Sequence, residues 1–132
     1  MTPREVIKQA RLAMADNCVA EARSMFESLV DDPYYKGEGF LGLALVEMRQ
    51  RQFERAMVLL DLAFPCVSKP ADVAYLMGVS FEGLNRRAAA LDAFRVAIAL
   101  DAQHAPAHSA VERLLSSDPD RDPVQYACLY LH

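Results

Sequence analysis

His104 and His108 frame "HAPAH" (104–108), the i, i+4 spacing that sets two imidazoles on one helix face as zinc ligands. Pro106 lies between them, however, and proline belongs in the first turn of a helix. The helix start therefore falls between the two rings, and no third ligand stands nearby. Both are expected to be solvent-exposed residues at a helix start. Asp118, Asp120 and Asp122 in "DPDRDP" alternate as the opening of a calcium loop does. Counting on, Pro123 occupies the sixth place, where glycine is needed, and Leu129 the twelfth, where a bidentate glutamate is needed. Cys18, Cys66 and Cys128 are odd in number and lack C-x-x-C spacing. They read as small reduced side chains, Cys18 in a turn with no base beside it. None of the five glycines builds a phosphate-cradling loop, and no serine sits in a nucleophile elbow. The chain reads as a non-enzyme that needs no cofactor or metal.

Charge narrows the partners. The 132 residues carry a formal charge of −4, with 53% hydrophobic and 24% charged residues, the balance of one folded domain. Lys and Arg are interspersed with acids, as in "RQFER" (51–55), so the basic stripe of a nucleic-acid binder is missing. The N-terminal "MTPREVIKQARLAMADN" is broken by charges and does not read as a signal peptide. No stretch reaches the ~20 apolar residues of a membrane-spanning helix. A cytoplasmic location follows, with neither nucleic acid nor membrane insertion expected.

The elements that position these side chains come from a repeat. Ala22, Ala56 and Ala90 recur at one constant interval. The same interval relates Phe26, Leu60 and Phe94, then Leu29, Ala63 and Ala97, and upstream Ala10, Ala44 and Gly78. Apolar spacing within each period is helical. First helices are expected around 6–14 and 74–81, second helices at about 18–30, 52–64 and 86–100, and a closing helix over 104–115. Pro33 and Pro65 are expected to end the first two second helices. Ala10, Ala44 and Gly78 should face Ala22, Ala56 and Ala90 where paired helices approach. Phe26, Leu60 and Phe94 should fill the space between one pair and the next, with Gly78 marking the tightest contact. "DPVQYACLYLH" (122–132) reads as a short terminal helix or tail.

This pattern resembles the tetratricopeptide repeat. The segment 71–104 matches it at Met77, Gly78, Phe81, Ala90, Phe94, Ala97, Leu100 and Asp101. Residues 37–70 match through Phe40, Leu43, Ala44, Phe53, Ala56, Leu60 and Ala63, and residues 3–36 through Val6, Ala10, Ala22, Phe26 and Pro33. The resemblance implies an all-α, right-handed α-solenoid of about three repeats, with a capping helix at 105–117 that closes the open end. It also implies that the first helices line a concave groove.

"FLGLALVEM" (40–48) supplies two faces. Phe40, Leu43, Ala44 and Glu47 share the side turned to the partner helix, while Leu41, Leu45 and Met48 point elsewhere. Their counterparts are Ile7, Arg11 and Met14 one period earlier, and Tyr75, Val79 and Glu82 one period later. These nine positions form the expected partner-binding groove. Two readings compete: an open apolar trough for another protein's chain, or a surface covered by neighbouring helices, by the terminal segment or by a second copy in a homodimer. With Arg11 the one basic residue among them, the groove suits an apolar peptide better than an acidic tail.

The compact three-repeat layout is similar to the small tetratricopeptide chaperones of bacterial type III secretion systems. That likeness implies a chaperone or adaptor that holds an apolar segment of a client, with Leu41, Leu45, Met48, Tyr75 and Val79 in contact. The alternative is a permanent scaffold subunit of a multiprotein assembly.

Overall fold

A computed structural model describes residues 1–116. The expected terminal helix at 122–132, the alternating aspartates and Cys128 lie outside the described residues. Seven helices follow one another: α1 (Pro3–Ala15), α2 (Val19–Glu27), α3 (Lys36–Arg49), α4 (Phe53–Ala63), α5 (Pro70–Gly83), α6 (Arg87–Leu100) and α7 (Ala105–Ser116). Each packs on its neighbours in sequence, and α1 also touches α3. The result is an all-α solenoid of three hairpins with α7 as the closing helix.

Local chemistry fixes the ends. Thr2 and Glu5 exchange side-chain and backbone hydrogen bonds at 3.3 Å, a capping box that starts α1 ahead of Pro3. Inside each hairpin the turn is the same. Asn17, Arg51 and Asn85 adopt φ of 61°, 60° and 64°, the left-handed conformation that ends a helix. The next residue then reaches back: Cys18 N–H donates to Ala13 O (2.7 Å), Gln52 to Glu47 (2.8 Å) and Arg86 to Phe81 (2.9 Å). One helix stop thus recurs three times, once per period. Pro65 stands where expected, just past the end of α4 at Ala63, while Pro33 does less than expected. Helix α2 stops at Glu27, before Pro33, and the chain passes through Pro65 in a 3-10 turn, Phe64–Cys66.

The repeating columns are the core. Ala10, Ala22, Ala44, Ala56 and Ala90 are wholly inaccessible, as are Leu60 and Phe94. A Cβ on Gly78 would come within 2.5 Å of the Phe94 ring, yet on Gly42 it would come within 2.0 Å of the Phe26 ring. The tightest approach is thus at Gly42 rather than Gly78. It lets Phe26 of the first hairpin lie flush against the second.

Polar groups replace core at a few positions, Glu47 among them. Glu47 is buried on the partner-facing side of α3, where its counterpart in the next repeat is Phe81. Its Oε1 accepts from Arg23 Nη1 at 2.7 Å, while Arg23 Nη2 donates to Gln50 Oε1 at 2.7 Å. The pair staples α2 to α3.

Candidate functional site

The hairpins place α1, α3 and α5 side by side, and their shared face carries most of the expected positions. A cavity of about 540 Å³ is lined by Arg11 and Met14 from α1, Leu45, Met48 and Arg49 from α3, and Val79 from α5, together with Phe26, Arg51 and Phe53. A smaller pocket of about 40 Å³ continues it, bounded by Ile7, Glu38, Leu41 and Gly42 and sharing Arg11, Phe26 and Leu45. Ile7, Arg11, Met14, Leu41, Leu45, Met48 and Val79 are therefore brought together along one trough. Leu45, Met48 and Val79 are half-buried: supported from behind, open in front.

Tyr75 and Glu82 are drawn elsewhere. The Tyr75 ring packs against Phe94 and His104, with centroids 5.6 and 5.4 Å away. Glu82 accepts two hydrogen bonds from Arg113 of α7, both 2.6 Å. That bidentate pairing holds the Arg113 guanidinium above its usual pKa, chiefly through the hydrogen bond to Glu82. Both side chains serve the docking of α7.

Four contributors are invisible to the groove spacing. Phe26 belongs to a core column, yet its ring forms part of the floor because Gly42 lets it slide through. Phe53 enters from the start of α4. Arg49 and Arg51 come from the end of α3 and its left-handed turn, so with Arg11 the rim carries three guanidinium groups where one was expected. Arg49 is oriented by Asn17 Oδ1 at 3.4 Å. One signal was available: the sequence "MRQR" (48–51) places two arginines within three residues of Met48, the last groove position on α3. In the smaller pocket a Glu38 carboxylate oxygen is buried without a donor among the described residues.

His104 does not behave as a ligand or as an exposed cap. It is 7% exposed. Its Nδ1 accepts the Ala107 N–H at 3.2 Å, capping α7, so its Nε2 carries the proton and donates to Asp72 at 2.8 Å. Both ring nitrogens are already engaged, which leaves no lone pair for a metal. His108 stays exposed, with Nε2 2.8 Å from the Ala102 carbonyl.

No protein-family model matches the sequence, and no curated protein does. The fold does match. The tetratricopeptide domain of Arabidopsis OM64 superimposes with a TM-score of 0.74 at 18% identity, covering 88% of this chain and 96% of that one. The first tetratricopeptide domain of Spaghetti (RPAP3), bound to the HSP90 peptide SRMEEVD, gives 0.74 at 15% identity, covering 87% and 91%. The fold is that of a tetratricopeptide-repeat domain. The trough lies mainly on α1, α3 and α5, the first helix of each hairpin. None of the described helices is long and apolar enough to cross a membrane.

Proposed function

We propose that this tetratricopeptide domain is a protein-binding module, a chaperone or adaptor that seats an apolar segment of a client protein in the trough. The observation that carries this reading is the half-open row of Met14, Leu45, Met48, Phe53 and Val79 over Phe26. Apolar side chains supported from behind and open in front gain by covering one another, and methionines adapt to more than one shape. The three arginines at the rim add a preference for carboxylates flanking the apolar residues. A solved neighbour that carries the peptide SRMEEVD supports a peptide as the ligand class for this architecture.

The likeness to the small chaperones of type III secretion supports a cytoplasmic holding role for an export client. The domain would then be soluble alone and would solubilise a co-expressed client. A constitutive scaffold subunit would instead be unstable without its partner.

The test is co-purification of wild type and Leu45→Asp from the native cell, with circular dichroism on both. The expected result is an unchanged helical signal and loss of the partner, since a buried carboxylate facing apolar contacts weakens binding by at least about tenfold. Val58→Asp, on an exposed position of α4 away from the trough, should leave the partner bound. Equal recovery with a folded Leu45→Asp protein ends this reading.

A further inference from the structure

The opposite side of the solenoid carries a second cavity, of about 470 Å³, between α4 and α6. Asp61 of α4 and Phe64, just past its end, form one wall; Asp92, Ala93 and Val96 of α6 form the other. Ala74, Met77 and Phe81 of α5 form the floor. Its origin is visible in the repeating columns. At the preceding junction, between α2 and α4, the matching positions are Phe40 and Leu59, both packed into the core cluster around Leu60 and Ala63. At the α4–α6 junction they are Ala74 and Ala93. Two large side chains are replaced by methyl groups, and the space between the helices is left open.

The walls are apolar with two exceptions, the carboxylates of Asp61 and Asp92 on opposite sides. Both residues are exposed, and neither has an ion-pair partner among the described residues. Val96 is 47% exposed, which carries the apolar surface to the lip. An apolar slot flanked by two unneutralised acids is complementary to one kind of partner segment.

We infer that this outer cleft is a second protein-docking site, distinct from the trough, which takes a basic amphipathic segment of a partner: large apolar side chains fill the space left by Ala74 and Ala93, and flanking lysines or arginines meet Asp61 and Asp92.

The probe is a fluorescein-labelled synthetic helix with leucines at i and i+4 flanked by lysines, titrated into the 132-residue chain, alongside its counterpart with glutamates for the lysines. The lysine peptide should bind at least about tenfold tighter than the glutamate peptide. Ala93→Leu installs the residue carried one period earlier and should abolish binding with no loss of helix. Should that variant misfold, Val96→Lys makes the same test from an exposed position. Asp61→Asn with Asp92→Asn should weaken binding by roughly tenfold and flatten its salt dependence. Leu45→Asp, in the trough, should leave it unchanged, so this site and the trough stand or fall separately. Undiminished binding to folded Ala93→Leu and Val96→Lys proteins overturns the inference, as does loss of binding in Leu45→Asp. So does wild-type self-association in sedimentation that Ala93→Leu removes, because the occupant is then a second copy.

Discussion

Arg23 and Glu47 show how far a single polar pair departs from the repeat around it. Glu47 is buried with one oxygen bonded to Arg23 and the other without a donor among the described residues, whereas Arg23 keeps a third of its side chain in water. The two truncations are therefore unequal. Arg23→Ala strands a buried carboxylate and should cost about 2–3 kcal/mol in urea unfolding. Glu47→Leu leaves an arginine free to turn toward solvent and should cost less than about 1 kcal/mol, or stabilise. A larger loss for Glu47→Leu would mean the pair is a net source of stability. Arg51 makes a second prediction. It holds a left-handed φ that asparagine tolerates at the two matching turns, so Arg51→Asn should raise stability by roughly 0.5–1 kcal/mol. Because Arg51 also lies at the trough's rim, the same variant should bind an acid-flanked client more weakly. Stability and affinity would then move in opposite directions, measurable on one sample by thermal melts and titration.

Among the elements, α7 is held differently from the rest. The other helices are secured mainly by alanine and phenylalanine columns, but α7 is also pinned by His104 to Asp72, Arg113 to Glu82 and Arg87 to the Leu114 carbonyl. Truncating the cap in His104→Ala also removes the Asp72 bond and should cost about 1–2 kcal/mol. Near-ultraviolet dichroism from Tyr75, whose ring rests on His104, should change with it. At the tight approaches, Gly42→Ala should destabilise more than Gly78→Ala, because its methyl meets the Phe26 ring more closely, and overpacking of this sort costs about 1–3 kcal/mol. Equal melting temperatures would place the tight seam elsewhere.

What was legible in the sequence follows the same division. The helices and their pairing could be read because alanine and phenylalanine columns at a fixed spacing are a statement about close packing. The gathering of seven positions along one trough could be read because helical geometry separates Leu41, Leu45 and Met48 from Phe40 and Ala44. Tyr75 and Glu82 make contacts that the spacing does not foretell. Their spacing is right, but α7 competes for them, and no periodicity encodes a closing helix's polar contacts. His104 hid its role because its burial and bonding depend on Asp72, which sits on a different helix far back in the chain. The arginine rim was missed because Arg51 sits in a turn, where helical faces have no meaning.

At the scale of the whole molecule, the joints are unequal. Side-chain hydrogen bonds tie α2 to α3, α5 to α7 and α6 to α7 among the described residues. The contact of α4 with α5 rests on apolar packing around Leu60, Ala63 and Val73 and borders the outer cleft. In a solenoid each unit leans only on its neighbours, so α1–α4 and α5–α7 should open as two blocks. Native-state hydrogen exchange should resolve two free energies of opening; a single value for all seven helices would contradict it.

Helix α5 belongs to both cavities. Met77 and Phe81 face the cleft while Val79 faces the trough. Should the cleft take its proposed guest, that guest and the one in the trough would rest on opposite faces of the same helix. Any effect of one visitor on the other's dissociation constant must, by thermodynamic reciprocity, be returned by the same factor. Titrating one guest in the presence of the other would tell whether α5 acts as a balance beam or as the common post of two hooks.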